Sequence, residues 1–269
     1  MKTTKKLFAA LIMMLFLFNV TPIIAQDDAP DGPMYLTATT MYWAKDYEGT
    51  MDDWKAAEKE YMEKVTQKNE YISHAAYHTH LFTENSNEII YVQGYTSWEN
   101  IEKAGARNSE LEKEAWPDEE AREAFLEKMN SAYSSYHSDE IMVSMKGAKH
   151  MSEKPTKDMV VYLRKNKWAF PKDGTMDEYG AIYKKIQEDV INKNDYIKAY
   201  YPNRHNWGSD RRDFIEAIFI DSIHDLGKMF DRNQELMKEA LTEEESEALN
   251  KYFKGHADYL YTWHHELSK

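Results

Sequence analysis

The chain has 269 residues, 34 Lys and Arg against 47 Asp and Glu, a formal net charge of -13, and no cysteine. So acidic a surface repels nucleic acid and anionic lipid, and neither is an expected partner. The lack of cysteine excludes disulfides, CxxC redox chemistry and thiolate metal sites, which leaves apolar burial to hold the fold.

In chain order, Lys2, Lys5 and Lys6 precede an apolar run from Leu7 to Phe18, followed by Asn19, Pro22 and the small Ala25. This is the order of a secretory leader, and the run is too short to span a bilayer comfortably. Residues 1–25 are therefore expected to be removed, with export to the periplasm or the extracellular space and no membrane attachment afterwards. The remaining chain would carry a net charge of -16.

"MYLTATTMYW" (34–43) is rich in β-branched and aromatic residues and reads as a strand. Thr50 with Asp53 three residues on is a capping-box pattern, so a helix should start there and run to about Gln67. Two strands follow, Ile72 to Phe82 and Glu88 to Thr96, around the turn-rich "TENSN". Helices open at Ser97 and Pro117, and "EIMVSM" (140–145) closes the unit as a strand.

The same order then recurs. A shift of 125 residues aligns the chain on itself without a gap from Met34 to about Glu120. Trp43 falls on Trp168, and "KNEYI" (68–72) on "KNDYI" (193–197). Thr175 with Glu178, Ser222 with Asp225, and Thr242 with Glu245 repeat the helix starts, and "DYLYTWHHEL" (258–267) is the closing strand. Residues 33–146 and 158–268 are thus read as tandem repeats, joined by the polar linker 147–157. Each has the strand, helix, strand, strand, helices, strand order of a split βαβ, ferredoxin-like unit, which makes the fold class α+β.

A four-stranded sheet with helices on one face leaves the other bare, and an apolar face of that size does not stay in water. Two antiparallel sheets packed face to face in one chain would solve this, giving an intramolecular pseudo-dimeric barrel and a monomer with an internal pseudo-twofold axis. By strand alternation Leu36 and Ala38, with Val161 and Leu163, are expected to face the helices. Tyr35, Thr37, Thr39, Met41 and Trp43, with Val160, Tyr162, Arg164, Asn166 and Trp168, are expected between the sheets.

This order of elements, the duplication, and "IIYVQGYTSWENIEKAGARNSEL" (89–111), a strand running through Ser into a helix, resemble the dimeric α+β barrel superfamily, which includes antibiotic-biosynthesis monooxygenase-like and stress-responsive barrel proteins. The resemblance covers nearly all of the chain after the leader. It implies a barrel with room for a cavity in each half, and clefts that in this superfamily bind aromatic substrates, haem or nothing.

His80 and His205 are the only histidines that the repeat superposes, and they are candidate acid/base or ligand groups near Trp43 and Trp168. The alternative is a strand-end imidazole bonded to a neighbour. His74, His78 and His80 share one strand face, a weak metal pattern, since the second copy has Ala199 and Asn203 at the first two positions. His264 and His265 point to opposite faces and chelate poorly. Arg164 and Glu216, with Thr39 and Tyr91 as their counterparts, are expected to form a buried ion pair or, with Tyr162, to touch a ligand. Lys, Asn and Tyr at 68–71 and 193–196 read as helix stop, left-handed cap and strand start. No phosphate loop and no serine nucleophile elbow is present. The expected function is small-molecule binding or a scaffold role without a cofactor; the alternative is an oxygenase-like or haem- or metal-dependent enzyme.

Overall fold

Eight antiparallel strands close into one barrel in the computed structural model, which describes residues 34–269. The leader reading of residues 1–25 lies outside the described residues. In chain order the elements are β1 (Tyr35–Trp43), α1 (Met51–Lys64), β2 (His74–Phe82), β3 (Glu88–Tyr95), α2 (Trp98–Ala115), α3 (Glu119–Asn130) and β4 (Tyr133–Ser144). The second series is β5 (Met159–Trp168), α4 (Met176–Lys185, continued by a wide turn over Ile186–Ile191), β6 (Ala199–Trp207), β7 (Asp213–Ile220), α5 (His224–Ala240), α6 (Glu243–Asn250) and β8 (Phe253–Ser268).

Around the barrel the order is β1, β3, β2, β8, β5, β7, β6, β4. Each series thus contributes four neighbouring strands, and the two sheets meet along two seams. At one seam His78 pairs with Trp263 and His80 with Tyr261. At the other, Met142 pairs with His205 and Val143 with Arg204. Hydrogen-bonding the edges removes the exposed strand edges that two sheets merely laid face to face would leave. The closing strands are longer than expected, from Tyr133 and from Phe253, because β1 and β5 pair with their polar starts while β6 and β2 join only from Ile141 and Leu260.

The helix starts follow the caps. Thr50 accepts from Asp53 N at 3.1 Å while Asp53 accepts from Thr50 N at 2.9 Å, and Thr242 and Glu245 repeat this reciprocal pair. Thr175 accepts from Glu178 N, but the Glu178 carboxylate is drawn away to Lys251 and Tyr252, so that box is half formed.

The duplicated words are a clamp. Asn69, fully buried, donates from Nδ2 to Ala104 O at 2.9 Å and to Asn108 Oδ1 at 2.7 Å, and its Oδ1 accepts from Tyr71 N at 3.0 Å. Asn194 repeats all three bonds with Met229 O, Asn233 Oδ1 and Tyr196 N. Asn69 has φ -77, so the expected left-handed cap is absent; the side chain, not a positive φ, turns the chain. The neighbouring carbonyls are capped reciprocally. Lys269, after β8, donates to Thr66 O and Asn69 O, while Lys149, after β4, donates to Ile191 O and Asn194 O.

The assignment of sheet faces needs correcting. Trp43 and Met41 pack with Trp54 and Met62 of α1, and Tyr162 and Trp168 pack with Tyr179 and Tyr183 of α4. The aromatic rows therefore lie under the helices. Met159, Val161, Leu163, Ala76, Ile90, Phe219, Tyr261 and Trp263 fill the barrel instead. Period-two alternation sorts residues into two rows without saying which row the helices cover. On β1 and β5 the larger rings lie where side chains from a helix can surround them, and the smaller aliphatic row leaves room in the lumen for Phe219, Tyr261 and Trp263.

Candidate active site

Trp54 and Glu58 are one helical turn apart on α1, so both point at the sheet, and each is only 1% exposed. Tyr133, the first residue of β4, donates its hydroxyl to Glu58 Oε1 at 2.6 Å, and that hydroxyl accepts from Trp54 Nε1 at 2.8 Å. Glu58 Oε2 is buried and has no partner among the described residues. Burial pushes the Glu58 carboxyl above the ordinary glutamate range, against the lowering effects of Tyr133 and then Tyr77. Burial, and then the Glu58 charge, push the Tyr133 and Tyr77 phenols up. Tyr77 stacks on Tyr91 with centroids 4.3 Å apart, and Trp54 meets Tyr77 edge-on at 5.7 Å.

Trp54 is also a wall of a pocket of about 340 Å³, bounded by Asp46, Tyr47, Asp53, Lys128 and Ser131 among others. Trp43 bridges the two regions, edge-on to Trp54 at 5.1 Å and stacked on Tyr47 at 6.2 Å. A buried acid, a phenol, an indole and an opening to solvent therefore lie in one line. Such an array can store a proton in the low-dielectric interior and present an aromatic surface to a guest.

The second series keeps the acid but moves it. At the 125-residue offset Trp54 becomes Tyr179, Glu58 becomes Tyr183, and Tyr91 becomes Glu216. Glu216 reaches in from the sheet, accepting from Asn166 Nδ2 at 2.8 Å and from Tyr200 OH at 2.6 Å, and Tyr200 shares a 2.5 Å hydrogen bond with Tyr183. Here the opening is filled: Tyr252 donates to Thr175 O at 2.9 Å, and Phe253 packs on Trp168 and Tyr179. A second pocket of about 310 Å³, at Asp195, Tyr196, Lys198, Asp221 and Asp225, lies apart from this acid.

The sequence candidates are not brought together. His80 and His205 lie at opposite seams, and by alternation His80 points to the lumen, away from Trp43. His80 Nδ1 bonds Thr83 Oγ1 at 2.8 Å, the local strand-end contact. His78 is held neutral by burial, its pKa pulled down to about 4, and its Nδ1 has no partner among the described residues. Among the described residues no three His, Asp or Glu side chains converge as metal ligands, so His74, His78 and His80 share a strand face without forming a site. Arg164 and Glu216 are directly opposite on β5 and β7, but under the helices rather than between the sheets. Glu216 takes Asn166 and Tyr200 in place of Arg164, whose buried Nε has no partner among the described residues.

Sequence reasoning missed Glu58, although Trp54, Glu58 and Met62 at four-residue spacing put an acid on the buried stripe of α1. It also missed what His264 does: Nδ1 lies 2.9 Å from Asp158 Oδ2, and Nε2 lies 2.8 Å from Thr79 Oγ1. His265 uses the same carboxylate at 2.7 Å, so adjacent histidines on opposite faces converge on Asp158 at the start of β5.

No protein-family model matches the sequence, and no curated protein is similar to it. Solved structures are similar in fold. A candidate monooxygenase from Lactobacillus acidophilus NCFM superposes with a TM-score of 0.55 at 8% identity, over 86% of this chain and 93% of that one. Another, from Fusobacterium nucleatum subsp. nucleatum, gives 0.56 at 12% identity over 87% and 93%. A mutant chlorite dismutase from Candidatus Nitrospira defluvii gives 0.52 at 12% identity, again over 87% and 93%. What is shared is the fold, an α+β chain with a closed antiparallel eight-stranded barrel.

Two expectations are corrected by these neighbours. A binding or scaffold role without catalysis gives way to the enzyme alternative, since the structures sharing the fold are oxygenase-like and chlorite dismutase-like. The chlorite dismutase-like neighbours likewise stand against the expectation of no cofactor.

The side chains here nevertheless do not fit a haem. The helix–sheet layer of the second series is packed with Tyr162, Trp168, Tyr179, Tyr183, Tyr200 and Phe214. In the first, both nitrogens of His264 are engaged. The open pocket offers only Tyr47 and Met129 as ligand types, beside Asp46, Glu48 and Asp53, whose charges oppose haem propionates.

Proposed function

We propose that the chain is an oxygenase-like enzyme that takes a small organic molecule into the pocket beside Trp54, with Trp54, Tyr133 and Glu58 as its reacting groups. The observation that carries this reading is Glu58 itself, a carboxyl 1% exposed, with one oxygen unpartnered, behind the wall of an open pocket. A purely structural carboxyl would be expected to have both oxygens satisfied, since an unpaired buried oxygen costs about 1–3 kcal/mol. The kinds of protein that share the fold support an enzyme. Asp46, Glu48 and Asp53 around Tyr47 and Trp54 favour a neutral or cationic aromatic guest over an anion.

The same reading takes residues 33–146 and 158–268 as duplicated ferredoxin-like units joined by 147–157. It takes the protein as exported and acting as a monomer, with one repeat keeping its pocket and the other having filled it. The matching Asn69 and Asn194 clamps support the duplication.

Oxygen uptake is the test, with phenolic and enolisable probes such as a hydroquinone and a 1,3-diketone. Uptake with at least one probe, falling about 100-fold or more in Glu58→Gln, is expected when Glu58 can no longer take the proton of Tyr133. Uptake unchanged in Glu58→Gln would place the chemistry elsewhere.

A further inference from the structure

The cluster has a direction that bears on what can cross its wall. Trp54 Nε1 donates to Tyr133, and Tyr133 donates to Glu58, so every hydrogen in the line points inward. An indole is a donor only, with no lone pair to accept a proton from a guest in the pocket. Protons therefore cannot be relayed across Trp54. Electrons can: Tyr47, at the pocket, stacks on Trp43, which meets Trp54 edge-on, an unbroken run of oxidisable rings with centroids 6.2 and 5.1 Å apart.

We propose that Trp54, Tyr133 and Glu58 form a proton-coupled electron donor to a one-electron oxidant in the pocket, of the aryloxyl-radical class. This deepens the reading that the pocket beside Trp54 is the reactive one, and rests on it. The oxidant takes one electron from Trp54 and becomes a phenolate. The tryptophan cation radical then takes one electron from Tyr133. As that electron leaves, the phenolic O–H breaks and its proton passes to Glu58 Oε1 across 2.6 Å. The products are a phenolate, intact Trp54, a neutral tyrosyl radical and a protonated Glu58; the negative charge that began on Glu58 ends on the phenolate.

Each element of the site has a place in this step. Glu58 supplies a proton acceptor already at hydrogen-bond distance, so no water is needed in a layer that excludes it. Neutralising Glu58 removes a charge that burial penalises. Tyr77 also lies against Trp54 and lowers the Glu58 pKa from beside it, but it is not bonded to Trp54 Nε1, so Tyr77→Phe tests whether the phenol in the Trp54 line is the one that matters. In the second series Tyr179 replaces Trp54 and its hydroxyl has no partner among the described residues, so the same wire is not built there.

The test needs no substrate. Photo-oxidised tris(bipyridine)ruthenium, with a cobalt(III) pentaammine as sacrificial acceptor, is a cationic oxidant that the acidic pocket rim attracts. Electron paramagnetic resonance of the illuminated full chain should show a long-lived neutral tyrosyl radical. That signal should be lost in Tyr133→Phe and kept in Tyr77→Phe. In Glu58→Gln it should be replaced by a tryptophan radical, because the proton has nowhere to go. Circular dichroism of each variant separates loss of the step from loss of the fold, and Trp54→Phe should also abolish the signal in folded protein. The same tyrosyl signal in wild type and Tyr133→Phe, or a signal indifferent to Glu58→Gln in folded protein, overturns the proposal. A positive radical result with no oxygen uptake on any probe would sink the oxygenase reading alone.

Discussion

Asn69→Ala should cost far more than an exposed asparagine does, because the duplicated Asn is a three-bond clamp. The side chain is fully buried, and truncation leaves Tyr71 N and Asn108 Oδ1 without their partner and removes a bond to Ala104 O. At about 1 kcal/mol net for each bond the loss is about 3 kcal/mol. For a domain of this size that corresponds to a fall in Tm of roughly 6–12 °C. Urea unfolding followed by tryptophan fluorescence gives the free energy directly. Asn194→Ala should match it, since its three bonds are the same in kind and length. Asn130→Ala, at the exposed end of α3, should stay within about 0.5 kcal/mol of wild type. A cost below about 1 kcal/mol for both clamp variants would refute the claim that the repeated words are held for structure.

The raised Glu58 carboxyl makes a pH prediction of definite sign. Its folded pKa lies above its unfolded value, so its favourable contribution is complete below the unfolded value and is lost as pH rises toward the folded one. Glu58→Gln should therefore flatten the fall in unfolding free energy between acidic and neutral pH, as read from urea midpoints. Lys269→Met and Lys149→Met should each destabilise by about 1–2 kcal/mol, since each removes an ammonium from backbone carbonyls at a helix end. The two lysines share no partner, so the double variant should show the sum within about 0.5 kcal/mol. Asp158→Asn should lose about 2 kcal/mol, because one carboxylate serves His264, His265 and Lys55. Thermal melts of the four variants check these values.

The order of elements was legible because its signals are local. Thr50 with Asp53, Thr242 with Glu245, and the apolar period of β1 each act within a few residues. The 125-residue offset in the sequence has a structural counterpart in the clamp, which needs Asn69 and Asn108 together as it needs Asn194 and Asn233. Which face of each sheet meets the helices was not legible, since alternation is symmetric and both rows are apolar enough to bury. Glu58 was within reach, four residues after Trp54 on a helix, whereas its partner was not. Tyr133 lies beyond Glu120, where the self-alignment ends, and only the pairing of β4 with β1 places it against α1. His80 and His205 stood out because they superpose, yet what repeats in them is a position at a strand end. The buried acids do not superpose at all, Glu58 lying on a helix and Glu216 on a strand.

A titration of the Glu58 carboxyl reaches the centre of the account. In protein labelled with carboxyl-13C glutamate, the resonance missing from Glu58→Gln identifies the residue. It should titrate above the ordinary glutamate value of about 4.3, and it should shift when Tyr133→Phe removes the hydrogen bond. A Glu58 resonance that titrates at or below that value and ignores Tyr133 would mean a solvated carboxylate, with no reactive cluster behind the pocket wall.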